Sequence, residues 1–425
     1  MIAALFIILA VLLVFGVPIY VSLAFSSLLT MVIFTPLSLE IIPQRMFAGI
    51  DKFSLMAVPF FILAANVMKT GGLSSKILKF ANALVGKLTG GLAMTVVLSC
   101  MFFGAVSGSS PATVVAIGAL MLPALVEMGY DEKFSLGLIT SSSAVAVIIP
   151  PSIGMIVYGS VTGVSVGELF MAGIGPGILY GLTFMLYCYY YAKKNNIKQI
   201  EDPSERTGLW EAFKDAGWAL GIPVVIIVGI YGGFFTPTEA AAVAAVYAII
   251  VSMFIYKELT WKDLIDESIE SAIGTAQVMI LLAAASVFSW ILTRQQAPQA
   301  LAQALVGAGR SKVTILLLIN LILLIVGMFI DPASASMILS PLFMPLAVQY
   351  GIDPIHLGII IVVNGAIGMY TPPFGLNLFV AKGITDRTLY DIMKGAMPFI
   401  IISLITLMLI TFIPQISLWL PGLMK

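Results

Sequence analysis

Long uncharged runs set what this chain can become. Met1 to Phe34 carries no charged residue, and Val313 to Tyr350 carries only Asp331. Further apolar segments follow at about 53–68, 91–126, 134–163, 168–192, 217–256, 268–292, 355–381 and 396–420. A bilayer core takes about 20 apolar residues per spanning helix, so the length allows roughly ten to fourteen crossings or half-crossings. Of the 425 residues, 60% are hydrophobic and 10% are charged, against about 25% charged in soluble domains. A soluble globular fold is excluded. The expected class is an all-α polytopic membrane protein in the lipid bilayer, with roughly ten to twelve transmembrane helices. The 21 basic and 21 acidic residues cancel, so no net charge draws nucleic acid. Cys100 and Cys188 sit inside apolar runs, which argues against a disulfide framework or a thiolate metal site. The single histidine, His356, cannot build a zinc site. Neither a phosphate loop nor a serine-nucleophile elbow occurs, which argues against ATP hydrolysis. Met1 to Phe34 lacks the basic leader of a cleaved signal and reads as one uncleaved spanning helix, bent at Pro18.

The segment 71–90, with Lys76, Lys79 and Lys87, has the spacing of an amphipathic helix lying at the interface. The longest polar stretch, Lys193 to Asp215, holds Lys193, Lys194, Lys198, Arg206 and Lys214, with Trp210 and Trp218 nearby. Its cluster of Lys and Arg predicts a cytoplasmic loop and, with the remaining Lys and Arg, a periplasmic N-terminus. The chain therefore divides into 1–192, a linker at 193–216, and 217–425. The halves resemble each other. Ile62-Leu63-Ala64-Ala65-Asn66-Val67 matches Leu282-Ala283-Ala284-Ala285-Ser286-Val287, Ser110-Pro111-Ala112 matches Asp331-Pro332-Ala333, and Pro150-Pro151 matches Pro372-Pro373, at offsets of 220, 221 and 222. Three anchors in order at nearly one offset indicate an internal duplication. In transporters such repeats usually have inverted topology and hold substrate at their interface.

Four constellations carry the chemistry. Phe103-Gly104-Ala105-Val106-Ser107-Gly108-Ser109-Ser110-Pro111-Ala112-Thr113 interrupts an apolar stretch too long for one crossing. Gly and Ser leave a helix easily, Pro111 suits a new first turn, and Ser109 or Ser110 would cap it. A re-entrant hairpin over 91–126 is expected, because irregular backbone at membrane depth must be buried in protein or line a cavity. The new helix N-terminus would face an anion. The repeat mate, Gly327-Met328-Phe329-Ile330-Asp331-Pro332-Ala333-Ser334, predicts a second hairpin over 313–349. Asp331 is the one deep carboxylate there, and such a residue marks function, capping or both. Broken helices are expected over 134–163, where Thr140-Ser141-Ser142-Ser143 leads to Pro150-Pro151-Ser152, and over 355–381, where Asn364-Gly365-Ala366-Ile367-Gly368-Met369-Tyr370-Thr371 leads to Pro372-Pro373-Phe374-Gly375 and Asn377. Paired prolines remove two N–H donors. The freed carbonyls, beside hydroxyls, suit a hard cation such as sodium. Thr236-Pro237-Thr238-Glu239 reads as a helix start, and Gln277 and Asn320 as interhelical hydrogen-bonding residues.

These motifs together resemble the large membrane subunit of TRAP (tripartite ATP-independent periplasmic, DctM-type) transporters, over essentially the whole chain. The resemblance implies a bacterial inner-membrane secondary transporter with two re-entrant hairpins, elevator-type transport and scaffold domains, and sodium (Na+) as coupling ion. It implies a small four-helix membrane subunit and a periplasmic substrate-binding protein as partners. The substrate would be an organic acid. The chain looks most like the subunits of sialic-acid systems, with a C4-dicarboxylate or another sugar acid as the alternative.

Carried over to this sequence, the resemblance implies one cation site at Ser107, Gly108, Ser109, Ala144, Val147 and Pro150. It implies a second at Gly327, Asp331, Gly365, Gly368 and Thr371. Substrate would contact Ser109, Ser110, Ser152, Asp331 and Pro332, with Pro111, Pro151, Pro372 and Pro373 shaping the tips and breaks. None of the four motifs contains an arginine, the usual bidentate grip on a carboxylate. Helix N-termini and bound sodium would take its place. An intramembrane protease would need a Ser/His pair or two facing Asp, which these motifs lack. Duplicated broken helices in one chain argue against a passive channel. A one-component ion-coupled carrier of the same two-hairpin plan is the remaining rival.

Overall fold

A computed structural model of the chain describes residues 1–197, 208–300, 303 and 311–423, and among them it contains helices and no strand. The first half opens with α1 (Ile2–Val14), α2 (Ile19–Phe34), α3 (Ile41–Ile50), α4 (Ala57–Thr70) and α5 (Leu73–Val85). A hairpin follows, α6 (Gly91–Ser107) and α7 (Ser110–Glu127). Next comes α8 (Glu132–Ser142), a 3-10 turn over Ser143–Val147, α9 (Ile153–Thr162) and α10 (Val166–Lys194). The second half opens with α11 (Leu209–Tyr231), α12 (Pro237–Ile250) and the long α13 (Trp261–Arg294). The second hairpin is α14 (Lys312–Gly327) and α15 (Pro332–Gln349). The second broken helix is α16 (Pro354–Gly368) and α17 (Leu376–Lys382), before α18 (Leu389–Phe412) and α19 (Gln415–Gly422).

Seven helices of the described residues are long and apolar enough to cross a membrane, and six further apolar helices run to only 10–17 residues. Several of the short ones are arms of the hairpins and broken segments, where Gly, Ser and Pro stop the helix partway. The N-terminal run departs from the single bent span expected. Gly16 takes φ +75°, and a residue before proline disfavours helical backbone. The chain therefore breaks before Pro18 into α1 and α2, which pack on each other, with α2 against α13. The amphipathic segment forms α5, burying Leu73, Ile77 and Ala81. Its Lys76 ammonium lies 3.1 Å from Asp215 and 3.6 Å from Glu258, which ties it to α11. Within the polar linker, residues 198–207, including Lys198 and Arg206, lie outside the described residues.

Thr236 and Glu239 form the expected capping box: the Glu239 amide donates to the Thr236 hydroxyl at 3.3 Å and the Thr236 amide to the Glu239 carboxylate at 2.8 Å. Cys100 and Cys188 are free and buried. Asn320 bonds between helices, donating to the Thr411 hydroxyl at 3.1 Å. Gln277 does not take that role; it lies on the exposed face of α13, where the helix turns it away from its neighbours.

The two halves come to backbone contact where α8 meets α18. A Cβ added at Gly395 would lie 1.8 Å from the Lys133 carbonyl oxygen, and one at Gly137 2.1 Å from the Gly395 carbonyl. Only glycine permits that approach, the device membrane helices use in place of a hydrophobic driving force. Beside it, Lys133 pairs with Asp391 at 2.7 Å and Arg387 with Glu132 at 2.7 Å. Gly395→Leu is expected to lower the melting temperature of the purified protein, at the upper end of the roughly 1–3 kcal/mol typical of overpacking. Wild-type stability in that variant would show that the helices can separate freely there.

A junction of two hairpin tips and two broken helices

The first tip is built by backbone geometry. α6 ends at Ser107, Gly108 takes φ +55°, Ser109 is extended, and α7 starts at Ser110 with Pro111 in its first turn. A side chain at Gly108 could not fit, because its Cβ would sit 2.6 Å from the Pro151 carbonyl oxygen. Ser109 occupies the cap position, but its hydroxyl does not cap the helix as expected. Instead the Ser109 amide donates to the Ser107 hydroxyl at 3.3 Å, and the Thr113 hydroxyl donates to the Ser109 carbonyl at 2.8 Å. The Ser109 side chain is left half-buried and uncommitted. Ser110 is fully buried, and its hydroxyl accepts from the Asn377 amide nitrogen at 2.6 Å.

The first break faces this tip. Pro150 and Pro151, joined by a cis peptide bond, have no N–H, so the carbonyls of Ala146 and Val147 lack their helical donors. α6 packs directly on that backbone, since a Cβ at Gly104 would meet Ala146 Cα at 2.5 Å. Ala144, Val147 and Ser152 are all buried here, and the Ser152 hydroxyl, at the start of α9, has no hydrogen-bond partner.

The second half repeats the arrangement. A Cβ at Gly368 would lie 2.3 Å from the Gly327 carbonyl carbon, and one at Gly327 3.4 Å from the Asn364 carbonyl oxygen. Gly327 and Gly368 thus hold the places of Gly104 and Ala146, at offsets of 223 and 222. Pro372 and Pro373 are again joined cis. Asp331 caps α15: one carboxylate oxygen accepts the amides of Ala333 and Ser334 at 2.9 and 3.0 Å, and the other accepts the Ser334 hydroxyl at 2.5 Å. Thr371 donates its hydroxyl to the Ile367 carbonyl at 2.6 Å, which leaves the oxygen's lone pairs open.

The two sites meet. Pro332, at the second tip, lies 2.8 Å from the Cβ position of Gly365 and 3.6 Å from that of Gly154 in the first break. Ser152 Cα lies 3.6 Å from the Cβ position of Gly108. A continuous line of contact therefore runs from the first tip through Ser152 and Gly154 to Pro332 and on to Gly365 and Gly327. All the residues proposed from sequence fall on this line or on the tip and break segments it joins. Around it, the oxygens of Ser141, Ser142, Ser152, Ser336, Asn364 and Asn377 are buried without a hydrogen-bond partner. A buried oxygen without a donor is costly unless something fills the gap. Among the described residues no group of His, Cys, Asp and Glu could hold a transition metal. An all-oxygen, carbonyl-rich set fits a hard monovalent cation.

The sequence places Asn364 and Asn377 in the second break but gives no sign of their partners. Asn377 bonds both Ser110 and, at 3.1 Å, the Thr140 carbonyl, so it joins the second broken helix to the first tip and first break. Asn364 donates to Asn320 at 2.6 Å and stands beside Gly365. The available signal was an amide inside an apolar segment, which rarely survives unpaired.

Comparison with known proteins shows the family. The family model described as "Tripartite ATP-independent periplasmic transporter, DctM component" matches residues 6–416. An isethionate TRAP transporter permease protein, DctMQ, of Oleidesulfovibrio alaskensis is 43% identical over 97% of this chain, which spans 65% of that relative's length. A C4-dicarboxylate TRAP transporter large permease protein of Rhodobacter capsulatus is 42% identical over 96% of both chains. A sialic acid TRAP transporter large permease protein of Vibrio cholerae is 35% identical over 96% of this chain and 95% of its own. The YdaH transporter of Alcanivorax borkumensis shares the fold, with a TM-score of 0.63 over 88% of this chain and 87% of its own at 15% identity. These relatives are transport permeases, not enzymes. The chain belongs to the DctM family of tripartite ATP-independent periplasmic transporters, as a large permease subunit and a multi-pass protein of the bacterial inner membrane.

Proposed function

We propose that this permease imports a small organic acid by sodium symport, with an elevator motion of the part that carries both hairpins. The single observation behind this is the junction: two tips and two broken helices in contact, ringed by buried oxygens without donors. Sodium at each tip–break pair would supply the missing positive partner. The first ion would draw on Ser107, Gly108, Ser109, Ala144, Val147 and Pro150, the second on Gly327, Asp331, Gly365, Gly368 and Thr371. The substrate carboxylate would then lie between the tips, at the amide ends of α7 and α9, where free N–H groups and the helix dipole favour an anion. Ser109 and Ser152 have hydroxyls to offer it. Ser110, already engaged by Asn377, acts by holding the tip. Asp331 repels a carboxylate and serves the cap and the cation.

A small four-helix membrane subunit and a periplasmic binding protein are the partners this reading requires. The identities weigh on the substrate. Relatives named for isethionate and C4-dicarboxylate are 43% and 42% identical, and the one named for sialic acid 35%. A compact acid of two to four carbons is therefore favoured over sialic acid, which stands as the second reading.

Uptake into proteoliposomes holding this chain and its small subunit is the direct test, with binding protein outside and a panel of labelled isethionate, succinate and N-acetylneuraminate. Uptake of one acid that stops without binding protein, and when potassium replaces sodium, is expected. Uptake indifferent to sodium removes the symport, and uptake without binding protein points to a one-component carrier. In the same assay Asp331→Asn keeps an acceptor at the cap and removes the charge. The sodium concentration for half-maximal uptake is expected to rise on the order of tenfold, as for loss of one charge-assisted contact. An unchanged sodium dependence assigns Asp331 to capping alone.

A further inference from the structure

A second polar site lies outside the junction. A cleft of about 460 Å³ opens between α3 and α13 on one side and α9 and α15 on the other. Its lining includes Arg45, Lys52, Trp290 and four hydroxyl side chains, Ser160 and Ser286 among them, so it offers two cations and an indole. No acid lines it. Asp51 neighbours Lys52 in sequence but lies outside the lining. Among the described residues neither Arg45 nor Lys52 is in an ion pair.

The arginine is held in place rather than loose. Its guanidinium lies 5.0 Å from the centre of the Trp290 ring, a cation–π arrangement. Its own carbonyl accepts the Ser286 hydroxyl at 2.8 Å. That bond pins α3 to α13 and presents the side chain at a fixed point of the cleft. The guanidinium keeps its donors for a ligand, because stacking uses the face and not the edge.

The position of the cleft is the second argument. Ser160 lies eight residues beyond Ser152 along α9, or roughly 12 Å at 1.5 Å per residue. Across the cleft, Met337 and Pro341 continue the helix that Asp331 caps. The cleft thus borders the very helices that start at the junction, and its basic wall belongs to the elements opposite them. The four junction motifs have no arginine; this wall supplies one.

We infer that Arg45 and Lys52 form a capture subsite for the carboxylate or sulfonate of a small organic acid, which the anion occupies beside the hairpins rather than between their tips. The inference rests on the transport reading above for its biological use, but not for its test. A cleft lined by one sign of charge raises the local concentration of counter-ions by roughly 10- to 1,000-fold. The held guanidinium and the Lys52 ammonium would grip the acid by charge and N–H donors without closing around it, so it could pass on.

Both native cysteines are fully buried, so an Ala48→Cys substitution places the one accessible thiol at the exposed edge of the cleft. The full chain would be reconstituted in phosphatidylcholine vesicles, and labelling rates measured with the anionic sulfonatoethyl and the cationic trimethylammonioethyl methanethiosulfonates. The anionic-to-cationic rate ratio is expected to fall about tenfold when Arg45→Gln or Lys52→Gln is added, the low end of that focusing. Millimolar succinate is expected to slow labelling of the single variant at least several-fold, and sucrose to leave it unchanged. A ratio indifferent to both substitutions, or no protection by succinate, overturns the subsite. Protection by phosphatidylglycerol in the vesicles but not by succinate also overturns it, and assigns the cleft to a lipid phosphate. None of these rates requires transport, so a failure of sodium-driven uptake leaves this outcome readable.

Discussion

A broken helix inside a membrane leaves carbonyls that water cannot reach, and everything at the centre of this permease follows from where those carbonyls are placed. Pro150-Pro151 and Pro372-Pro373 each withdraw two donors from the helix before them. Irregular backbone of this kind survives only against protein or a cavity. Gly104 and Gly327 bring a hairpin arm onto each break at backbone distance, and Gly108 and Gly365 let the tips close over it. Glycine is required at Gly104, Gly108 and Gly368, where a Cβ would fall 2.3–2.6 Å from the facing backbone.

The two breaks form one assembly because buried polar side chains and glycine contacts cross between the halves. Asn377 reaches from the second broken helix to Ser110 and Thr140 in the first half. The Tyr370 hydroxyl bonds those of Ser403 and Tyr180, binding the second break to α18 and α10. Gly137 and Gly395 do the same for α8 and α18 through backbone contact. A buried hydrogen bond in this setting is modest in strength but expensive to leave half-made. These contacts tie the two hairpins and the two broken helices to one another, as the proposed elevator step would need. The cleft with Arg45 and Lys52 runs along the border between those parts and α3 and α13.

Much of this was legible in the sequence, for a physical reason. Gly, Ser and Pro interrupting uncharged apolar runs have few explanations in a bilayer, so hairpins at 91–126 and 313–349 and breaks at 134–163 and 355–381 follow from the residue pattern alone. The repeat offset was readable because the same punctuation recurs in both halves. Finer chemistry was not. Ser109 looked like a cap, yet Ser107 takes its amide and leaves its hydroxyl free. Pro18 looked like a bend, but Gly16 at positive φ made a full break. Asn377 was seen beside the second break, but its partners lie more than two hundred residues away, a distance no local pattern spans. The arginine missing from the motifs sits in α3, which carries no motif at all. Substrate identity is fixed by a few contacts that the four motifs do not spell out, and relatives named for isethionate, C4-dicarboxylate and sialic acid all align over nearly the whole chain.

The central claim is that sodium completes the two tip–break pairs. Amide hydrogen exchange of the reconstituted protein tests it at the tips themselves. With sodium in place of potassium, residues 107–113 and 328–334 should exchange at least several-fold more slowly, while α4 and α12 stay unchanged. Equal exchange at both tips in the two salts would mean that the buried oxygens of the junction are satisfied by something other than sodium.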